Sequence, residues 1–168
     1  MTSAGSKMTV REICKSTVVP ASVAKVWHAF TTAEGAATFF APRGDIRLEK
    51  GGPYELYFDL EAPAGQQGSE GCTVLEFAVE KFLSFTWNFP PSLPSIRGEH
   101  TTVGVGLQPL QGGSTRVVIT HTGWQTGDDW SAGFDYFNRA WALVLARLKH
   151  RFTVGPLDWN NPYTPPDL

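Results

Sequence analysis

His121 is the residue of this sequence best suited to acid–base chemistry. Alternation from Thr115 to Thr122 predicts a strand that puts His121 on the same apolar face as Val117 and Ile119. An imidazole there can donate to a ligand carbonyl or act as a general base whose pKa is lowered by burial. A lone histidine on an apolar face can equally be a core residue bonded to a backbone or hydroxyl partner. His121 is therefore a weak catalytic candidate, and the two interpretations stay open.

The remaining histidines do not complete a metal site with it. The predicted register places His100 on the opposite face of the sheet, and His28 and His150 fall on separate helices without carboxylates at ligand spacing. We therefore predict no metal and no other cofactor.

Nucleophilic catalysis has no sequence motif to support it. Ser84, Ser114 and Ser131 lack a G-x-S-x-G context, and Cys14 and Cys72 have no base nearby in the sequence. The two cysteines are far apart without zinc-site spacing, so we predict two free, buried thiols.

The composition limits the partners that this chain can have. Its 168 residues, 42% hydrophobic and 18% charged, predict one core-rich domain. A net charge of -2 without a basic cluster argues against nucleic acid and membrane surfaces as partners. No segment approaches the roughly 18 apolar residues of a membrane span, and residues 1–7 do not resemble a signal peptide. We therefore predict a cytoplasmic protein.

Helical periodicity predicts three helices that flank a sheet. The first opens at Pro20–Ser22, and a second, short helix runs from Ala33 to Phe40. The longest predicted helix runs from Trp130 to Arg151, with Asp128 as its capping residue. One stripe of this helix is strongly apolar, as required for a helix that covers a sheet. Its members are Phe134, Phe137, Trp141, Val144, Leu145 and Leu148.

Alternating runs separated by turn signals predict the strands of an antiparallel sheet. The runs are Thr9–Thr17, Asp45–Glu49, Pro53–Leu60, Cys72–Ala78, Phe82–Phe89, Thr101–Gln108 and Thr115–Thr122. In the last hairpin, Val103 opposite His121 and Val105 opposite Ile119 put the apolar side chains on one face. In the hairpin before it, Phe77 opposite Leu83 and Leu75 opposite Phe85 would do the same.

These elements predict an α+β domain in which the long helix lies across a curved antiparallel sheet of about six to seven strands. The predicted organisation is a flexible tail over residues 1–8, a single domain over 9–152 and a Pro-rich extension over 153–168. The extension contains Trp159 and Tyr163, which leave a homodimer contact open.

Six spaced segments, in this order, resemble the START-like SRPBCC superfamily, whose members have the helix-grip fold. The segments are Val26–Thr32, Gly51–Tyr54, Gly71–Phe77, Phe82–Trp87, Gly113–Trp124 and Phe137–Trp141. More narrowly, they resemble the branch related to the C-terminal domain of the activator of the heat-shock-protein-ninety ATPase. The resemblance spans roughly residues 10–151.

The resemblance implies a cavity between sheet and helix that binds a lipid, a polyketide or another apolar molecule. The predicted function is therefore a carrier or sensor of a small hydrophobic ligand, with no recognisable catalytic constellation. Loops 90–94 and 124–130 are candidate gates. The predicted ligand-binding residues are Phe39, Phe40, Tyr54, Phe58, Phe85, Trp87, Val105, His121, Trp124, Phe134, Phe137 and Trp141. The alternatives are a cyclase or dehydratase that uses His121, and an interaction module that contacts the chaperone.

Overall fold

The computed structural model describes residues 11–168, so the predicted tail and the start of the predicted first strand lie outside the described residues. A short 3-10 turn, Gln111–Gly113, separates the last two strands. The elements are β1 (Ile13–Val19), α1 (Val23–Thr31), α2 (Ala33–Ala36), β2 (Arg43–Ile46), β3 (Tyr54–Tyr57), β4 (Val74–Ala78), β5 (Phe82–Trp87), β6 (Thr101–Pro109), β7 (Thr115–Thr122) and α3 (Asp128–Thr153).

The strands form an antiparallel sheet of five strands, in the order β1-β7-β6-β5-β4, and a ribbon of β2 and β3. The ribbon is joined to the chain just before β4, because Tyr54 N–H donates to the Cys72 carbonyl at 2.8 Å and Pro53 forms a bridge with Thr73. With α3 as the cover, the predicted α+β class is confirmed.

The predicted register is confirmed for one hairpin and is partly wrong for the other. In the β6–β7 pair, Val103 lies opposite His121 and Val105 opposite Ile119, as predicted. In the β4–β5 pair, Phe77 does lie opposite Leu83, but Val74 and not Leu75 lies opposite Phe85. A bulge between Val74 and Glu76 reverses the alternation, because an extra residue in one strand moves its neighbours to the other face.

Local hydrogen bonds set the ends of the helices. Ser22 caps α1 by accepting from Lys25 N–H at 3.3 Å, and α2 ends at Ala36, earlier than the predicted Phe40. The predicted capping role of Asp128 is wrong: Gly127 is the N-cap, and Asp128 lies in the first turn of α3, where its charge still favours the helix dipole.

The core lies between α3 and the concave face of the sheet. Trp130, Phe137, Trp141, Leu145 and Leu148 bury one stripe of α3 against it. Gly133 lets α3 approach the end of β5, since a Cβ there would overlap the Phe89 ring.

Among the thiols, Cys72 is buried as predicted, but Cys14 is exposed because its side chain lies on the outer face of β1.

The chain after α3 folds back along the helices. Leu157 N–H donates to the Thr38 carbonyl at 2.9 Å, and Trp159 Nε1 donates to the Ala37 carbonyl at 2.6 Å. Tyr163 stacks on His150 with ring centroids 4.1 Å apart.

None of the helices within residues 11–168 is long and apolar enough to cross a bilayer.

Candidate functional site

His121 lies at the centre of a closed chain of hydrogen bonds. Trp141 Nε1 donates to His121 Nδ1 at 2.9 Å, and His121 Nε2 lies 2.6 Å from Thr101 Oγ1. Because an indole nitrogen can only donate, Nδ1 carries the lone pair and Nε2 carries the proton. Thr101 Oγ1 donates its own hydrogen to the Trp87 carbonyl at 3.1 Å. Both ring nitrogens are thus occupied.

This environment keeps His121 neutral. Burial lowers its pKa from 6.5 to about 3. A second proton on the ring would also point Nδ1–H at the indole N–H of Trp141. Both ring nitrogens are hydrogen-bonded within the protein and the side chain is fully buried, an arrangement typical of a core histidine.

A separate cavity of about 320 Å³ lies beside this network, between α3 and the loops that follow β3 and β5. Pockets for small ligands typically measure about 300–1,000 Å³. Its lining residues are Phe40, Phe58, Asp59, Gln66, Gln67, Gly68, Trp87, Asn88, Phe89, Pro90, Pro91, Arg97, Tyr136, Phe137, Ala140, Trp141, Leu143, Val144 and Arg147.

The deep end of the cavity is aromatic. Phe40 lies 5.9 Å from Trp141 and 6.0 Å from Trp87, measured between ring centroids, and the two indoles lie 5.5 Å apart. At the outer end Phe58 and Tyr136 are 44% and 42% exposed. Apolar side chains therefore continue from the buried rings to the solvent.

The loop after β3 forms one wall, and Glu70 holds it. Its carboxylate accepts from Gln67 N–H at 2.9 Å and Gly68 N–H at 2.7 Å. Burial opposes ionisation of Glu70, but the backbone N–H groups hold its pKa below the usual range. Gly68 packs so closely on β3 that a Cβ there would overlap the Leu56 carbonyl oxygen. The loop that forms this wall is therefore fixed by hydrogen bonds and close packing.

Replacing Glu70 by Gln should loosen this wall. The neutral amide cannot accept both backbone N–H groups and the Arg97 guanidinium, so we expect a loss of about 1–3 kcal/mol in unfolding free energy. Hydrogen exchange at the Gln67 and Gly68 amides should accelerate. Glu61→Gln, an exposed change in the same loop, is the control and should leave both rates unchanged. Equal exchange in the two variants would contradict the role of Glu70.

The structure distributes the predicted site residues over two regions. Phe40, Phe58, Trp87, Phe137 and Trp141 line the cavity. The others do not: Phe39, Tyr54, Phe85, Val105 and His121 are buried in the core, and Trp124 and Phe134 are half-buried. Of the two candidate gates, only loop 90–94 reaches the cavity, through Pro90 and Pro91.

Several lining residues have a sequence signal although they were not among the predicted site residues. Phe89 follows Phe85 and Trp87 at two-residue spacing, so it belongs to the same inner face. Others lie along α3 at helical spacing: Val144 belongs to the apolar stripe, and Tyr136, Ala140 and Arg147 lie next to it. Apart from Phe89, the lining residues from loops 59–68 and 88–97 carry no such periodicity.

The described residues contain no alternative centre for metal chemistry. Within residues 11–168, no three His, Cys, Asp or Glu side chains are grouped closely enough to hold an ion. The candidate site is therefore the cavity beside α3, which is lined by aromatic rings and a few polar groups.

Comparisons with known proteins place this fold. The family model for "Activator of Hsp90 ATPase homolog 1-like protein" matches residues 20–153. Protein MLL2253 from Mesorhizobium loti is 20% identical, with a TM-score of 0.66, over 83% of this chain and 95% of that chain. Protein BH1534 from Bacillus halodurans is 27% identical, with a TM-score of 0.60, over 85% and 97%. The Aha1 dimer from Colwellia psychrerythraea is 22% identical, with a TM-score of 0.56, over 86% and 98%.

No curated protein matches the chain significantly. The family model nevertheless covers most of the sequence, from the start of α1 to the end of α3, and the solved structures share the long helix on an antiparallel sheet. This chain therefore belongs to the family of activator of Hsp90 ATPase homolog 1-like proteins, within the helix-grip SRPBCC superfamily.

Proposed function

We propose that this protein binds a small apolar molecule in the cavity beside α3, as a carrier or sensor. The observation that carries the proposal is the open aromatic cavity itself, which lies beside the packed core between α3 and the sheet. Protein interiors are packed to nearly crystalline density, so an opening of this size bordered by Trp87 and Trp141 is not an ordinary packing defect.

The chemistry of the walls supports an apolar ligand. Rings contribute a large contact area at low entropic cost, and the arrangement of rings around Phe40 suits a flat or chain-like body. The polar side chain of Asn88 is already committed, because its amide donates to the Gly68 carbonyl at 3.1 Å. The proposal involves no reaction, and the hydrogen-bonded His121 is consistent with binding alone.

Titration with N-phenyl-1-naphthylamine tests the proposal. This neutral aromatic probe fluoresces strongly in apolar surroundings and should bind the wild-type protein saturably at one site. Trp87 and Trp141 lie in the cavity wall, so their fluorescence should be quenched in the same concentration range. Absence of saturable binding by this probe, together with unchanged tryptophan fluorescence on adding decanol, would overturn the proposal.

Filling the cavity should abolish that binding. Ala140→Phe adds a ring to the cavity side of α3, and we expect the probe affinity to fall by about tenfold or more, equivalent to about 1.4 kcal/mol. Ala132→Phe is the matched control, because Ala132 is exposed on the same helix and lies outside the cavity. Equal affinities of the two variants would show that the probe binds elsewhere.

Self-association and contact with a chaperone stay predictions. The neighbour from Colwellia psychrerythraea is described as a dimer. In this chain, Trp159 donates to the Ala37 carbonyl and Tyr163 stacks on His150.

A further inference from the structure

Arg147 is held at the cavity by the chain that follows α3. Its Nε donates to the Tyr163 carbonyl at 2.9 Å, and its guanidinium carbon lies 5.6 Å from the centre of the Trp159 ring. The side chain is half-buried and lines the cavity. A long, flexible side chain that is fixed at its Nε and held over an indole ring has lost much of the entropy that binding would otherwise cost.

The two arginines of the cavity differ in how their charge is satisfied. Arg97 donates to the carbonyls of Phe89 and Gly65 and forms an ion pair with Glu70 at 3.3 Å. Arg147 has no carboxylate within 4 Å among residues 11–168, and Nε is its only nitrogen that donates to a described residue. Its two terminal nitrogens are thus free of protein partners in this part of the chain.

The surroundings make this charge costly without a partner. Partial burial lowers the pKa of Arg147, although a guanidinium stays protonated at physiological pH. The carboxylates of the wall that follows β3 do not neutralise it: Glu70, which does not line the cavity, is engaged by Arg97, and Asp59 accepts from Glu61 N–H at 3.1 Å at the exposed edge. A partly desolvated cation beside an apolar cavity favours an anion that arrives with an apolar body.

We propose that the ligand is an apolar molecule with a single carboxylate, and that Arg147 binds the carboxylate while the aromatic rings bind the body. This inference rests on the proposed function and specifies its ligand class. With Nε occupied by Tyr163, the terminal nitrogens present an end-on fork whose spacing matches the two oxygens of a carboxylate. Phe40, Trp87 and Trp141 form the deeper, apolar end of the same cavity.

The test compares two ligands of equal length that differ only in the head group. Decanoate and 1-decanol, below their micelle-forming concentrations and at a pH where decanoate is ionised, are used to displace N-phenyl-1-naphthylamine from the wild type, Arg147→Gln and Arg139→Gln. Arg139 is exposed on α3 outside the cavity, so its variant removes the same charge without touching the site. We expect wild type and Arg139→Gln to prefer decanoate about tenfold, since a charge-assisted hydrogen bond is typically worth that much or more. Arg147→Gln should lose this preference and keep its affinity for decanol.

The outcomes separate this inference from the proposed function. Equal affinity of the wild type for both ligands, or a preference that persists in Arg147→Gln, would overturn the role of Arg147 while leaving apolar binding intact. Failure of the probe to bind, with tryptophan fluorescence unchanged on adding either ligand, would overturn both. Should Arg147→Gln not fold, the wild type still decides: its preference for decanoate must shrink as ionic strength rises, because salt screens the charge on a half-exposed arginine.

Discussion

Lowering the pH should destabilise the wild type more than a His121→Gln variant, by up to about 1.4 kcal/mol per pH unit. The pKa of His121 is about 3 in the folded protein and near its ordinary value of 6.5 in the unfolded chain. Between these values the unfolded chain binds more protons at His121 than the folded chain does. The contribution of His121 to the unfolding free energy is therefore fully present above about pH 6.5 and is lost as the pH falls towards 3. Urea unfolding at neutral pH and at about pH 4.5 should show the gap between wild type and variant narrow by about 2–3 kcal/mol.

The comparison with the variant is essential because Asp and Glu groups titrate in the lower part of the same range. His121→Gln removes the titrating proton at this position and keeps all the other groups, so the difference between the curves isolates His121. At neutral pH the variant should be the less stable protein, since an amide cannot meet both Trp141 Nε1 and Thr101 Oγ1 with imidazole geometry. Parallel curves would mean that His121 titrates alike in both states, and the closed network would then be wrong.

Trp141→Ala should cost about 3–5 kcal/mol of unfolding free energy. The indole is 2% exposed, it packs against Phe40, Trp87 and Phe137, and its N–H is the donor to His121 Nδ1. Truncation removes these contacts and also leaves a buried acceptor without a partner. Thermal or chemical denaturation measures the loss, and a cost well below about 2 kcal/mol would place the ring in open space and not in the packed wall.

A pair of milder variants separates the hydrogen bond from the packing. Trp141→Phe and Trp87→Phe remove the same atoms from two neighbouring, buried rings, but the indole N–H of Trp87 has no hydrogen-bond partner among residues 11–168. Trp141→Phe should therefore be the more costly by about 1–3 kcal/mol. Equal costs would show that the Trp141–His121 bond adds nothing to stability.

These expectations describe a core with two parts. Around His121, three aromatic rings pack on the imidazole and both ring nitrogens are hydrogen-bonded, and Trp124 Nε1 adds a bond to the His121 carbonyl at 2.9 Å. Around Phe40 and Trp87, the same kind of side chains leave an opening. Trp141 belongs to both parts, because one of its faces borders the cavity while its N–H holds the histidine.

What the sequence determined by itself is the architecture. Alternation in residues 101–122 placed Val103, Val105, Ile119 and His121 on one face, and the structure has this pairing because a strand has a period of two that local sequence displays directly. The apolar stripe of α3 could be predicted in the same way, because the helical period of about 3.6 residues is also displayed by the local sequence. The α+β class follows from these patterns, which depend on neighbours in the chain, whereas the family is indicated by the resemblance of six spaced segments and shown by the family model over residues 20–153.

Only the tertiary structure decided which aromatic residues border open space. Phe85 and Trp87 are alike in the sequence, two residues apart on one strand face, yet Phe85 stacks on Tyr54 at 4.0 Å in the solid core while Trp87 lines the cavity. Sequence periodicity likewise does not predict three other features of the structure: the bulge at Leu75, the loop held by Glu70 and the contact of the C-terminal extension with Arg147. Local sequence encodes which face a side chain takes, whereas a cavity is the volume left between distant segments, and no local pattern records it.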